Sequence, residues 1–344
     1  MRVAAIVVAW RSVEVLPGCL AALDAQDHGD LEVVVVDNAS GDGTPEVVRD
    51  FAARARHPVR LVENPVNRGF AGGVNDALAT TDAQAVLLVN PDAQPRPDLV
   101  TRCVAALAAD PRRGSVQPKL HRTTPAAGGR AVIDTTGHEL TSARLVHNRG
   151  EGVPDHGQFD QAGEVFGASG ALVLHRRAML DDVAWRLPDG RTEVLTEDLF
   201  AYFEDVELDW RARLLGWTAW YEPAAVAVHE RGGAGPRRTP MVEALNHTNR
   251  LLVIETCDDR RALLRVAPLV VVTSLLKSLE LAATEPSALV PALRRLRLLG
   301  DCRWRRRQLM ARARVPPAAV VRRFVVPFRW RPWIATWWRR VRPP

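Results

Sequence analysis

The chain has 344 residues, a formal net charge of +6 and four cysteines, a length that can bury one large core with an appendage. Cys19, Cys103, Cys257 and Cys302 lie far apart without C-x-x-C or histidine-adjacent spacing, which excludes a sequence-evident zinc site or disulfide scaffold and fits a reducing cytoplasm. The charge is uneven: from Arg294 onward there are 16 Arg and one acid, Asp301, so about +15 lies there and about −9 in the residues before.

"MRVAAIVVAW" has one Arg, a short apolar run and no convincing cleavage site, and reads as a first buried strand rather than a signal. Next come a helical pattern over Val13 to Ala25, the run "LEVVVVDN", a helix over Thr44 to Ala55, "VRLVEN", a helix over Gly72 to Ala79, and "AVLLVNPD". Near-continuous Val, Leu and Ile between helices predicts a parallel sheet covered on both faces, hence an α/β domain. Ligands of such sheets bind beyond the carboxyl ends of the strands. Asp37 with Asn38, Glu63 with Asn64, and Asn90 with Asp92 stand at those ends. A helix to about Ala109, a strand "GSVQPKL" and a poorly periodic polar stretch from His121 to Gly163 follow, the last expected to lie over the site. "EVFGASGALVLHRRAML" predicts a strand and turn entering a helix.

"FAYFEDVELDWRARLLGW" then places Val206, Trp210, Leu214 and Trp217 at the spacing of one buried helical stripe. Glu207 with Arg211 and Asp209 with Arg213 are i,i+4 pairs expected on an exposed face. Glu204 and Asp205 suit either a helix N-terminus, where acids are favoured, or a catalytic role. "WTAWYEPAAVAVHERGGAG" predicts a strand ending in His229 and glycines. Trp10 is core or a stacking surface, and Glu197 and Asp198 fit a helix cap. Beyond Pro240 the pattern is helical. There "LLRVAPLVVVTSLLKSLELAA", interrupted by Arg265, Pro268 and Lys277, predicts an interfacial or core helix pair rather than a membrane span.

"NRGFAGGVN" is not the G-x-G-x-x-G of a dinucleotide fold; Gly69, Gly72 and Gly73 instead allow a close backbone approach. A sugar-nucleotide nucleotidyltransferase would need a Lys-containing, Gly-rich loop after the first strand, and "WRSVEVLPG" has none. Taken together, "VVVVDNASGDGT", "NRGFAGGVN", "LLVNPDA", "GASGALVLHRRAML", "EDLFAYFEDVELDWRARLLGW" and "HERGG", in this order from about Val3 to Gly235, resemble the family 2 glycosyltransferases of GT-A fold, specifically their rhamnosyltransferase-like branch.

The resemblance implies a GT-A catalytic domain over 1–240, a Rossmann-like central sheet covered by helices, with a nucleotide-sugar-binding half (1–97) and an acceptor-binding half (98–240). It implies inverting transfer of a sugar, L-rhamnose from dTDP-rhamnose as the branch-level expectation, to a lipid-linked or polysaccharide acceptor in cell-envelope synthesis. Asp205 is then the general base beside Glu204, and Trp10, Asp37, Asn38, Asn67, Gly69, Asn90 and Asp92 face the nucleotide sugar. A divalent cation, Mg2+ or Mn2+, falls to Asp92 with His229, "NPD" offering one carboxylate where a full D-x-D offers two. Asp37, Asp92 and Asp205 argue against the remaining alternative, a non-catalytic scaffold.

Half of the ten tryptophans lie in the basic segment, interleaved with Arg as in "RRFVVPFRWRPWIATWWRR". Rings beside cations favour an anionic membrane surface; a solvated tail is the alternative use of such a run. The expectation is a helical membrane-associating extension over 241–344 that holds the protein peripherally on the cytoplasmic, inner face of the cell membrane. There it meets a polyprenyl diphosphate-linked acceptor and no nucleic acid.

Overall fold

The computed structural model describes residues 1–126, 128–232 and 239–342. The glycines that follow Gly232 in the "HERGGAG" motif lie outside them. Val3–Ala9, apolar throughout, forms the buried central strand β1. It is followed by α1 (Leu16–Asp24), β2 (Leu31–Asp37), α2 (Thr44–Ala52), β3 (Val59–Glu63), α3 (Gly69–Leu78) and β4 (Ala85–Val89). These four strands run parallel in the order β4-β1-β2-β3, as apolar runs alternating with helices predict.

Next come β5 (Ala93–Pro95), α4 (Leu99–Ala108), β6 (Arg113–Arg122), β7 (Ile133–Thr135), β8 (His138–Thr141), β9 (Val146–Asn148), β10 (Gly163–Val165) and β11 (Leu172–Arg176). Then α5 (Arg177–Val183), a small hairpin of β12 (Trp185–Arg186) and β13 (Thr192–Glu193), α6 (Glu204–Leu214) and β14 (Thr218–His229) complete this part. The sheet as a whole is mixed, not parallel: its order is β10-β14-β6-β11-β4-β1-β2-β3, and β11 runs antiparallel to both β4 and β6. A strand covered on both faces carries the same apolar run in either direction, so sequence pattern cannot reveal the reversal.

Seven further elements follow: α7 (Pro240–Cys257), α8 (Arg260–Thr284), α9 (Leu289–Arg295), α10 (Leu299–Arg312), α11 (Pro317–Phe324), β15 (Val325–Val326) and α12 (Trp330–Val341). They share a core with the sheet: Leu252, Val253, Cys257, Cys302, Leu309 and Val320 pack in one cluster with Val206, Leu208 and Trp210 of α6. β15 adds to β8 in a small sheet with β9. Much of the basic segment is engaged with the fold. Buried Arg305 pairs with Asp198 at 3.1 Å and Glu193 at 3.4 Å, and Arg314 with Asp182 at 2.8 Å.

Two expectations are corrected here. The face of α6 predicted to meet water is buried, with Glu207, Asp209, Arg211 and Arg213 all under cover, because α5, α7, α11 and β14 surround the helix. Glu207 does pair with Arg211, at 2.7 Å, but Asp209 turns to His138 at 3.0 Å and Arg213 to Glu164 and the Phe166 carbonyl. The i,i+4 spacing of charges reports who can pair, not whether water is present. The second correction is α8, where Arg265, Pro268 and Lys277 interrupt the sequence pattern without breaking the helix. It runs 25 residues and is long and apolar enough to cross a membrane by length and composition, with Leu264, Val271, Leu275 and Leu279 exposed.

Candidate active site

Three strand ends build one side of the site. Asp37 closes β2 and is buried; its Oδ2 accepts the Ser40 amide at 3.3 Å, while Oδ1 has no hydrogen-bond partner among the described residues. A buried carboxylate oxygen without a donor is costly. Trp10, half-buried at the end of β1, carries the Arg11 guanidinium over its ring at 4.9 Å. The Asn38 side chain works inside the loop, donating to the Gly69 carbonyl at 2.8 Å and accepting from Asn64 at 2.9 Å. Asn67 Oδ1 accepts the Gly69 amide at 2.8 Å. Gly69 itself has φ +70°, and a Cβ there would stand 2.3 Å from the Phe200 carbonyl oxygen. Only glycine fits this turn.

The end of β4 meets the end of β14. Asp92 Oδ1 is 3.2 Å from His229 Nε2 and its Oδ2 accepts the Gly232 amide at 3.0 Å. Asn90 Nδ2 lies 3.4 Å from the same imidazole nitrogen. On the far side His229 Nδ1 is 2.8 Å from Asp134 Oδ2, a carboxylate that also pairs with Arg231. Burial opposes charge on His229, but Asp134 and Asp92 outweigh it and push its pKa up to about 9. Asp92 and His229 would offer a divalent cation an O,N donor pair only once the ring gives up the proton that Asp92 and Asp134 favour, with Asp134 aiming the ring. Among the described residues no cluster of three or more His, Cys, Asp or Glu is gathered for a metal, so a cation here would need further ligands from elsewhere.

The third side is the start of α6. Phe200, Tyr202 and Phe203 all have positive φ, 64°, 68° and 72°, a conformation costing roughly 1–3 kcal/mol per non-glycine residue that persists only when its surroundings enforce it. Asn249 of α7 does so: its buried Nδ2 donates to the carbonyls of Leu199, Ala201 and Tyr202 at 2.8, 3.0 and 2.8 Å. This loop delivers Glu204 and Asp205. Glu204 is buried and its Oε2 has no hydrogen-bond partner among the described residues; burial, with the neighbouring Asp205 charge, raises its carboxyl pKa well above the usual range and favours the neutral form. Asp205 is the more open of the two. Its Oδ2 accepts the Gly170 amide at 2.9 Å and its Oδ1 the Val206 amide at 2.8 Å.

The "GASG" turn, 167–170, joins the sides. Its Ala168, Ser169 and Gly170 amides donate to Asp209, Gln117 and Asp205 in succession. A Cβ on Gly170 would touch both Asp205 and Phe70 of the glycine-rich loop at about 3.5 Å, so one residue's width separates the two halves of the site. Sequence reasoning missed two residues here, Asp134 and His138. A signal existed: in "AVIDTTGH" they are the two titratable groups of an otherwise uncharged run, but its lack of periodicity hid its role in the core.

A family model described as Glycosyl transferase family 2 matches residues 4–180. An N-acetylglucosaminyl-diphospho-decaprenol L-rhamnosyltransferase of Mycobacterium tuberculosis is 25% identical over 260 residues, 68% of this chain and 78% of that protein. Among solved structures, the mannosyltransferase PcManGT of Pyrobaculum calidifontis in complex with GDP-Man and Mn2+ superposes with a TM-score of 0.53 at 22% identity, covering 90% of this chain and 85% of that one. GalNAc-T7 with UDP, GalNAc and Mn2+ gives 0.57 at 12% identity over 74% of this chain and 48% of that one.

Proposed function

Because the chain belongs to glycosyl transferase family 2 and has the GT-A fold, we propose that it is an inverting transferase acting in cell-envelope glycan synthesis. It moves a sugar from a nucleoside diphosphate donor, L-rhamnose from dTDP-L-rhamnose as the first choice, to a hydroxyl of a lipid-linked acceptor. The decaprenol-linked reaction in the relative's name supports that choice of donor and acceptor. The observation that carries the reading is the wall shared by Phe70, Gly170 and Asp205, which brings an accessible carboxylate against the glycine-rich donor loop.

In this reading the imide N–H of thymine or uracil donates to Asp37 Oδ1, and Trp10 flanks the base. The acceptor oxygen attacks the anomeric carbon from the side of Asp205. As the new C–O bond forms, the bond to the diphosphate breaks, the nucleoside diphosphate leaves with the electron pair, and the hydroxyl proton passes to Asp205. One displacement inverts the centre. Asp92 and His229, the latter aimed by Asp134 and freed of its proton, would hold Mg2+ or Mn2+, which would supply the positive charge that a departing diphosphate requires.

Thermal-shift screening with dTDP-L-rhamnose, UDP-GlcNAc and GDP-mannose, each with Mn2+, tests the donor, because a ligand that binds only the folded chain raises its apparent stability. The largest rise is expected with dTDP-L-rhamnose; a larger rise with GDP-mannose would reject the thymine reading of Asp37. Asp92→Asn is expected to weaken Mn2+ and donor binding together, and an unchanged Mn2+ titration removes Asp92 from the metal site.

The membrane reading belongs to the same proposal. The exposed residues of α8 recur on one helical face, Arg260, Arg261 and Arg265 stand at its N-terminal end, and α12 adds exposed Trp330 and Trp338 beside Arg339 and Arg340. Trp337 ties the two helices by donating to the Leu276 carbonyl at 2.9 Å. An apolar ridge flanked by tryptophan and arginine suits the headgroup region of an anionic bilayer. A full-length Leu275→Glu, Trp338→Ala variant is expected to bind anionic vesicles at least about tenfold more weakly, since each lost apolar contact is worth roughly 1.5–3 kcal/mol. Equal sedimentation of parent and variant would remove this surface from the proposal.

A further inference from the structure

His138 is buried between two carboxylates of α6. Its Nδ1 is 3.0 Å from Asp209 Oδ2 and its Nε2 faces Asp205 Oδ2 at 3.5 Å. Nothing around it is loose. Its backbone N–H donates to the Gly167 carbonyl at 2.9 Å, and Asp209 Oδ2 is fixed by the Ala168 amide at 2.8 Å. Gly167 packs so closely on Asp209 that a Cβ there would lie 1.9 Å from Oδ2.

Resting on the assignment of Asp205 as proton acceptor, we propose that His138 is a positioning residue for the transfer: an imidazolium clamped by Asp209 that grips Asp205 Oδ2 and aims the carboxylate at the acceptor hydroxyl. A neutral ring can hold only one of the two carboxylates: with its proton on Nδ1 it presents the Nε2 lone pair to Asp205, and with its proton on Nε2 it turns the Nδ1 lone pair on Asp209.

The charged groups around the ring agree. Asp205 and Asp209 face it from α6, with the buried Glu204 carboxyl beside them, while Arg213 is turned to Glu164 and the Phe166 carbonyl and acts on Asp209 only through space. The segment 167–170 brings no ionisable side chain, and β9 opposes His138 with Asn148. Burial works against the charge, but Asp205 and Asp209 outweigh it and raise the pKa of His138 above its ordinary 6.5. The clamp is therefore lost as pH rises through that raised value.

The test uses His138→Asn, which keeps a donor toward Asp209, and His138→Gln, together with Asp205→Asn, all as full-length protein. Activity is read as nucleoside diphosphate released from a panel of dTDP, UDP and GDP sugars. Histidine NMR of the free protein follows the resonance that His138→Asn removes. In the parent the titration midpoint of that resonance is expected above 6.5, falling in Asp205→Asn. The rate of the parent should decline on the alkaline side of that midpoint. Both His138 variants should run about tenfold or more slower at neutral pH, keep dTDP affinity by calorimetry, and lack that alkaline decline. A midpoint unmoved by Asp205→Asn, or His138 variants that keep the parent profile while Asp205→Asn is inactive, overturns the positioning role alone. Full turnover by Asp205→Asn overturns the proton-acceptor assignment itself.

Discussion

Asp205→Asn is expected to slow transfer by about 10²- to 10⁴-fold, the span typical of a positioned proton acceptor, while donor affinity stays near that of the parent. The amide keeps the size of the side chain, and one oxygen can still accept the Gly170 amide, but it takes no proton from the acceptor. Steady-state rates alongside calorimetric donor binding check this; transfer at the parent rate removes Asp205 from the chemistry. Glu204→Gln is the informative contrast. Burial, with the Asp205 charge beside it, raises the Glu204 pKa well above 4.5 and so favours its neutral form, and a neutral amide should preserve much of the activity. A raised folded-state value stabilises the protein fully only below the unfolded value and is lost progressively as pH climbs toward it. Thermal midpoints measured across that range should therefore fall with pH less steeply in Glu204→Gln than in the parent.

Gly69→Ala is expected to be nearly as severe, by a different route. The methyl group would meet the Phe200 carbonyl at 2.3 Å, a backbone atom that cannot rotate away, at a residue whose φ is +70°. The strand-end loop and the loop before α6 would have to part. Displacements on the order of 1 Å cost about 10²-fold in rate when they spread to reacting groups. The variant should therefore lose both donor affinity and turnover, and its thermal midpoint should drop. Normal kinetics in a folded Gly69→Ala protein would show that the contact between the two loops does not position the site.

The side of the site built by Asp37 and Asp92 was readable because its residues sit at strand ends, and strand ends are where apolar runs stop: Asp37 and Asp92 follow "LEVVVV" and "AVLLVNP" directly. The side built by Glu204 and Asp205 was readable only as a motif. Nothing local told that Glu207, Asp209, Arg211 and Arg213 would be buried, since the elements that cover α6 come from distant parts of the chain. Asp134 and His138 escaped for the same reason. Their strands are three and four residues long, too short for an alternation to register, and their partners His229, Asp205 and Asp209 lie 67 or more positions downstream. Side-chain roles set by long-range pairing leave little trace in a local window.

β15 joins β8 through the register Val325 with Leu140 and Val326 with Thr141, and β8 begins at His138. During synthesis these partners are separated in time. At about 5–20 residues per second, the strand bearing His138 waits on the order of ten seconds or more before Val325 is made. Until then β8 has an open edge on that side, and α6 lacks the cover of α11. The order of manufacture therefore delays the finished surroundings of His138 and α6 until residues far toward the C-terminus have been added, and a nascent chain carrying an intact glycine-rich segment is not yet a complete transferase.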